Sequence, residues 1–249
     1  MSVTKPFRRH CRPFKNGQYF DAQNWHYILH PKYALNALRY YQAFLLILKD
    51  AREIFEYVEP ADLNENCYSY RIHELLMRTC IEVEANCKAI MLENNYVPPD
   101  KWSMSDYRKI DGPYRLSSYQ VRAPQWTGSI AVQRPFAAWN SSCPSLPWYK
   151  AYNQSKHDRH ANFAQASLGN LLSSVCGLAV LMSAQFWMID FSPTGSYEVY
   201  FDLQDGYDHT IGRYFRVKFL ADWAPQDRYE FDWTALNQGS LDPFQNVSF

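Results

Sequence analysis

The sequence predicts a mainly α-helical protein, a helical bundle with a small carboxy-terminal β-hairpin appendage. Apolar residues recur at three- and four-residue spacing over residues 32–58 and again over residues 65–95, as in amphipathic helices. Residues 161–189 contain no charged side chain, which favours a helix at the centre of a bundle. Near the carboxyl end, residues 196–203 and 213–219 alternate large and polar side chains, as strands do.

Composition indicates a folded protein with no overall preference for a charged partner. Aromatic residues make up 17% of the 249 residues, which excludes a disordered chain. The 25 basic and 25 acidic side chains balance, so the whole chain has no electrostatic bias toward nucleic acid or lipid. Residues 1–15 nevertheless carry five cations and no acid, and residues 190–249 carry ten acids against four bases. These two regions either attract each other or bind separate partners.

Cysteine usage indicates a reducing compartment. The six cysteines are scattered, form no CxxC pair and follow no secretory signal, so we expect a cytoplasmic protein with free thiols. Cys80 and Cys87 share a helix face, but His73 alone does not complete a metal site, and we expect no metal and no other cofactor. We also expect no membrane span, because amides such as Asn170 and Gln185 interrupt the uncharged run and no basic flank follows it.

The chain divides into three predicted regions. Residues 1–31 form a basic, aromatic amino-terminal arm without helical or strand periodicity. Interleaved rings and cations favour a platform for single-stranded nucleic acid, and the alternative is an irregular arm that packs across the bundle. Residues 32–190 form the helical bundle domain, and residues 191–249 form the β-hairpin with an acidic, aromatic tail.

Two long helices are predicted to pack against each other in the first half of the bundle. The first covers residues 32–58, and the second covers residues 65–95 with Asp62 or Asn64 as its N-cap. The outer face of the second helix carries Glu74 and Glu82, which normally indicates solvated ion pairs. The alternative brings one of these two carboxylates to His157 across the bundle.

Residues 100–147 break into short, proline-containing pieces, which predicts an ordered loop with its own structure or a binding role. Within it, residues 103–110 predict a short helix in which Ser103 and Asp106 form a cap pair. Residues 148–188 then follow Pro147 as one central helix. Four aromatic residues are expected to hold the loop in place: Trp102, Trp126, Phe136 and Trp139.

The head of this central helix carries the side chains best suited to chemistry. At about 100° per residue, Lys150, Asn153, His157 and His160 fall on one face. Cleaving RNA without a metal requires a base for the 2′-hydroxyl, an acid for the leaving oxygen and a cation or amide for the phosphate. Histidine suits the first two roles because imidazole titrates near neutrality. The alternative is that His157 and Asn153 make structural hydrogen bonds at a helix entry.

The segment YNQSKH (residues 152–157) contains a polar residue and a histidine, and it follows two long helices and a loop. This arrangement resembles the HEPN superfamily over residues 32–190. In that family an arginine, typically followed by a polar residue, precedes the histidine. The resemblance implies a helical bundle that forms a homodimer and acts as a metal-independent ribonuclease of toxin or phage-defence type. It makes His157 the catalytic histidine and Asn153 its polar companion. Tyr152 stands where the family has its arginine.

Two functions stay open at this stage. In the first, a homodimer brings two copies of His157, Asn153 and Lys150, with His160 as a complement, into a shared cleft that cuts RNA. In the second, the protein is a non-catalytic HEPN-like module, a partner or sensor in a larger assembly. The loop of residues 100–147 and the hairpin then form its surface for another protein. The cations expected to bind the RNA substrate are Lys156, Arg159, Arg8, Arg9 and Arg12.

Overall fold

The computed structural model describes residues 2–141, 145–189, 191 and 206–249. Its architecture is mainly α-helical, with a small antiparallel sheet, as the sequence predicts. The helices are α1 (Ala37–Tyr57), α2 (Tyr70–Glu93), α3 (Met104–Arg108), α4 (Asp111–Tyr114), α5 (Pro147–His157), α6 (Arg159–Asn162), α7 (Leu168–Phe186) and α8 (Trp233–Gly239). Short 3₁₀ turns cover Trp25–Leu29, Asp62–Asn64, Leu116–Ser118, Ser129–Ala131, Ala137–Asn140, Phe163–Gln165 and Pro225–Asp227.

Helix α7 is the centre of the bundle. It contacts α1, α2 and α5, and nearly all of its side chains are buried. Among the described helices, α7 alone has the length and apolar composition that crossing a membrane requires, and 83% of that stretch is buried inside the molecule. The uncharged run therefore packs as the core helix that its composition predicts.

Helices α1 and α2 pack together but are shorter than predicted. Asn36 has a φ of 55°, in the left-handed region, so α1 begins at residue 37 rather than 32. Ser69 caps α2 by accepting a hydrogen bond from the Ile72 amide at 3.2 Å. The prediction of Asp62 or Asn64 as the cap is wrong, because both lie in a separate 3₁₀ turn.

The predicted single central helix is broken. Asp158 departs from helical geometry with φ −141° and ψ 87°, and its carboxylate caps α6 by accepting from the Ala161 amide at 3.1 Å. A second cap follows at Ser167, whose hydroxyl accepts from the Asn170 amide at 3.4 Å and starts α7. Helices α5, α6 and α7 are therefore separate, because two local caps compete with continuation of the helix. His160 lies in α6 and does not share a helix face with the residues of α5.

The described parts of the predicted loop, residues 100–141 and 145–147, have structure of their own. The predicted short helix is α3, and Ser103 and Asp106 form its capping box. The predicted aromatic anchoring is also confirmed. Trp126, Phe136 and Trp139 are buried and Trp102 is packed against the core.

The small sheet joins this loop to the carboxy-terminal region. Its strands are β1 (Gln120–Arg122), β2 (Val132–Gln133), β3 (Asp208–His209) and β4 (Arg216–Lys218), in the order β2-β1-β4-β3, all antiparallel. Val121 of β1 is paired with Val217 of β4, and both side chains are buried. The predicted strand over residues 196–203 lies outside the described residues. The carboxy-terminal strands β3 and β4 thus form the predicted small β appendage together with β1 and β2 of the loop.

The amino-terminal arm packs across the bundle and meets the carboxy-terminal tail. Isolated bridges join Val3 and Phe14 to Tyr229, which is fully buried. Lys15 forms an ion pair with Glu230, so the basic arm and the acidic tail attract each other. The irregular arm anticipated as one of the two alternatives is the one observed.

Candidate functional site

The two predicted catalytic histidines lie at the break between α5 and α6, whereas Lys150 and Asn153 lie earlier in α5. His157 is the last residue of α5, Asp158 follows it, and His160 belongs to α6. His157, His160 and Lys150 are exposed, and Asn153 is half-buried. The two imidazoles and the Lys150 amine are therefore accessible to a ligand from solvent.

Helix α5 is held to the bundle by its inner face. Trp148 and Tyr152 are 2% and 1% exposed, and the Trp148 indole donates a hydrogen bond to the Pro135 carbonyl at 2.9 Å. These two buried residues lie one helical turn apart. Lys150 and His157 fall on the opposite side of the helix and face solvent.

Tyr152, which stands where the HEPN motif has an arginine, anchors a neighbouring cation instead. Its hydroxyl accepts a hydrogen bond from Lys156 Nζ at 3.0 Å, and that nitrogen lies 5.0 Å from the centre of the Tyr152 ring. Burial raises the pKa of Tyr152, and the hydrogen bond from Lys156 raises the pKa of the lysine. Lys156 stays positively charged beside His157.

Three aromatic side chains lie together next to this break, and we call Tyr68, Tyr70 and Phe163 the aromatic platform. The Phe163 ring lies 4.8 Å from that of Tyr70 and 5.6 Å from that of Tyr68, measured between ring centres. Arg159 holds its guanidinium 5.8 Å from the centre of the Tyr70 ring. Exposed rings and exposed cations thus alternate over one surface.

His73 of α2 lies next to the platform. Its ring lies 5.6 Å from that of Phe163. Burial is the main cause that lowers the pKa of His73. The positive charge of Arg159 lowers this pKa further, whereas a hydrogen bond with the Ser155 backbone raises it. The net direction is downward, so His73 tends to be neutral and Arg159 is the fixed cation of the platform.

Two carboxylates of α2 have partners other than His157, and one of them, Glu84, accepts a hydrogen bond from the Tyr149 hydroxyl of α5 at 3.0 Å. Glu74 is solvated as predicted, but its ion-pair partner is Arg71, at 3.5 Å, and not Arg78 of the four-residue ladder that the sequence predicts. Glu74 and Arg71 line a groove of about 500 Å³ between α1 and α2, where Asp50 forms an ion pair with Arg78. Within the part of the chain that the structure describes, neither Glu74 nor Glu82 makes a polar contact with His157. The orientation of His157 by a carboxylate of α2 is therefore not observed.

Arg9 and Arg12 lie inside the molecule, which corrects the expectation that they bind RNA. Arg9 is 0% exposed and its Nε lies 2.8 Å from Glu93 Oε1. Arg12 is 7% exposed, and its guanidinium lies 4.6 Å from the Phe7 ring centre and 4.9 Å from that of Trp223. Both cations hold the arm in place and are unavailable to a bound strand.

Arg8 is the partly exposed member of the three arm arginines, and it forms an ion pair with Asp242. The arm nevertheless lies far from His157. It contacts Gln185 near the end of α7, whereas Tyr68 is bridged to Ser167 at the start of that helix. At about 1.5 Å per residue, the 19 residues of α7 separate the two regions by roughly 28 Å.

The described cysteines are all free thiols. Four of them are buried, and burial raises the pKa of Cys11 to about 12. A raised pKa keeps a thiol protonated and unreactive, so these side chains act as small apolar residues. Cys143 lies outside the described residues.

Sequence reasoning missed the aromatic platform. Tyr68 and Tyr70 precede Phe163 by more than ninety positions, and no local pattern joins them. One signal was present: in α2, Tyr70 lies outside the buried stripe that begins at Ile72, which predicts an exposed ring.

We compared the chain with protein-family models, curated proteins and solved structures, and none of the three comparisons gave a match.

Proposed function

We propose that the protein acts on RNA through the surface at the α5–α6 break, as a metal-independent ribonuclease of the HEPN-like type. The observation that carries the proposal is the group of exposed side chains at one helix break, two histidines with Lys156 and Arg159, beside exposed aromatic rings. Cations attract the phosphate backbone, and histidines supply proton transfer near neutral pH.

The proposed reaction uses the ribose of the substrate as the nucleophile. His157 takes the proton of the 2′-hydroxyl, and the 2′-oxygen attacks the adjacent phosphorus. His160 gives a proton to the 5′-oxygen that leaves. The products are a 2′,3′-cyclic phosphate and a free 5′-hydroxyl. Lys150, with Asn153 as a hydrogen-bond donor, stabilises the charge that grows on the phosphate.

A homodimer is part of this proposal through the HEPN resemblance. Four apolar side chains on α1 and α2 are exposed and available for burial against a second copy: Leu38, Leu46, Ile81 and Leu92. Sedimentation or light scattering of the purified protein would measure the oligomeric state directly. A monomer at working concentration would remove the shared cleft from the mechanism.

The test is cleavage of single-stranded RNA in EDTA by the purified protein and by His157→Ala. We expect cleavage by the parent protein and a loss of at least roughly a hundredfold in the variant, the usual contribution of one acid–base group. Because His157 is exposed, the melting temperature should stay the same. His26→Ala is the matched control, since His26 is an exposed histidine of the arm. Equal cleavage by all three proteins would overturn the assignment of His157.

A non-catalytic HEPN-like module is the second candidate, and a specific observation favours it. The position of the motif arginine is held by Tyr152, which is buried, so no guanidinium projects from that position. Lysine is a weaker bidentate ligand for phosphate than arginine. In this case the protein would bind RNA or a protein partner without cutting RNA. Binding of RNA by both the parent protein and His157→Ala, with no cleavage by either, would favour the module.

A further inference from the structure

Exposed tyrosines are concentrated at one place on this protein. Of the described tyrosines, Tyr57, Tyr68 and Tyr70 are the exposed ones, at 83%, 50% and 70%. All three lie at the end of the bundle where α1 ends and α2 begins, since Tyr57 and Ser69 line one groove. An aromatic ring exposed to water lacks the stabilisation that burial would give. Three exposed rings at one location therefore indicate a binding surface.

The platform is built to present ring faces. Phe163 is half-buried between α2 and α6, and its plane is tilted 43° from that of Tyr70 and 83° from that of Tyr68. Phe163 also rests on His73 at 5.6 Å. The inner ring is thereby held in place, while the two outer rings stay open to solvent.

Cationic side chains lie in the turns next to the rings. Arg159 lies 5.8 Å from the Tyr70 ring centre, and Lys156 and His157 are exposed in the neighbouring turn. Three carboxylates also lie close to the platform in sequence, those of Glu65, Glu74 and Asp158. Asp158 accepts the hydrogen bond from the Ala161 amide that caps α6, and Glu74 is paired with Arg71. Arg159, held against the Tyr70 ring, is the cation that an anionic group would meet at the rings.

These observations define a ligand with flat apolar faces and a negatively charged backbone. We infer that Tyr68, Tyr70 and Phe163 stack unpaired bases of single-stranded RNA, while Arg159 and Lys156 contact the adjoining phosphates. A duplex keeps its base faces stacked inside the helix, so it cannot occupy the platform. The inference rests on the proposed action on RNA and adds the substrate class, which is an unpaired segment placed beside His157.

The experiment measures binding of a labelled 2′-O-methyl oligonucleotide by fluorescence anisotropy, because that ligand lacks the 2′-hydroxyl and cannot be cleaved. The same strand annealed to its complement is the duplex probe. The proteins are the full chain and its variants Tyr70→Ala, Tyr70→Phe, Arg159→Ala and Phe20→Ala. Phe20 is 48% exposed and stacks on Trp187, at the far end of α7, so it is a matched exposed ring on the arm.

We expect the parent protein to prefer the single strand over the duplex. Tyr70→Ala should weaken binding of the single strand roughly tenfold, which lies within the range for one base on one ring, and Tyr70→Phe should keep the affinity. Phe20→Ala should bind as the parent does. Arg159→Ala should reduce the slope of log affinity against log salt by about 0.7, the value for one phosphate contact on a single strand.

Equal affinity for both probes, or unchanged binding by Tyr70→Ala, would overturn the platform while leaving an action on RNA possible. Weakened binding by Phe20→Ala alone would move the site to the amino-terminal arm. Binding of the single strand without any cleavage of ordinary RNA would retain the platform and remove the ribonuclease. Failure to bind either probe would overturn both proposals and favour a protein partner for these rings.

Discussion

Replacement of Arg9 by methionine tests how the amino-terminal arm holds the bundle. The Arg9 guanidinium is fully buried, pairs with Glu93 through Nε at 2.8 Å and donates hydrogen bonds to Gln185 at 2.8 Å and to the Leu35 carbonyl at 2.7 Å. It also lies 4.5 Å from the centre of the Tyr40 ring. Methionine keeps much of the side-chain volume but leaves the Glu93 carboxylate without its cation.

The expected loss follows from the burial of the pair. Removing one partner of a buried ion pair costs about 3–5 kcal/mol of the free energy of unfolding. The Glu93 side chain keeps 13% exposure, so water reaches it and we expect about 3 kcal/mol. At roughly 2–4 °C per kcal/mol for a chain of this size, the melting temperature should fall by roughly 6–12 °C.

The assay is urea unfolding of the parent protein and of three variants. Arg8→Met is the matched control. Arg8 is the preceding arginine, and its pair with Asp242 is 18% and 47% exposed, so we expect a loss below about 1 kcal/mol. Arg9→Met combined with Glu93→Gln removes the orphaned charge and should recover at least about 1 kcal/mol relative to Arg9→Met alone. Equal losses for Arg8→Met and Arg9→Met would refute the argument from burial.

Two further predictions concern the turn around Asp62. Gly128 has a φ of +127°, and an added Cβ would lie 2.3 Å from Asp62 Cγ, so Gly128→Ala should cost roughly 2 kcal/mol in urea unfolding. Gly239→Ala, whose Cβ meets no atom within 4 Å, should stay near the parent, and equal losses would contradict the steric argument. Hydrogen bonds from Ser129 and Trp126 lower the pKa of Asp62 from 3.8 to about 2. The Asp62 carboxylate therefore stabilises the fold above about pH 4, and this contribution is lost as the pH falls through about 2. The melting temperature of Asp62→Asn should fall less steeply than that of the parent across that interval, and identical slopes would count against this assignment.

Local patterns in the sequence were sufficient for much of the helical architecture. The uncharged run over residues 161–189 predicts the buried α7, and the Ser103–Asp106 pair predicts the capping box of α3. Both features depend on residues within one or two turns of each other. Periodicity and capping act over that range, so they can be recognised without knowing the rest of the chain.

The break at Asp158 is also local, yet periodicity alone did not predict it. The apolar and polar pattern continues through the break, and the Asp158 carboxylate ends one helix by capping the next. A short acidic side chain is compatible with a helix interior and with a cap. Packing of Trp148 and Tyr152 on one side and of the α7 core on the other favours the capped form. As a result, His157 and His160 lie in different helices.

The partners of charged and aromatic residues could not be derived from the sequence. The sequence predicts Arg9 as an RNA-binding cation of the basic arm, but Glu93 and Gln185 meet it from α2 and α7. Tyr70 and Phe163 form the platform although they are far apart in the chain.

The sequence by itself determined the mainly helical class, the apolar central helix and the polar residues at its head, because these follow from the periodicity and chemistry of neighbouring residues. The folded structure determined which of those residues reach solvent, where the helix breaks and which rings lie beside Arg159. Burial of a charge or a ring depends on contacts between distant segments. The energy of those contacts exceeds the local preferences that a sequence displays, so the composition of the site depends on tertiary packing.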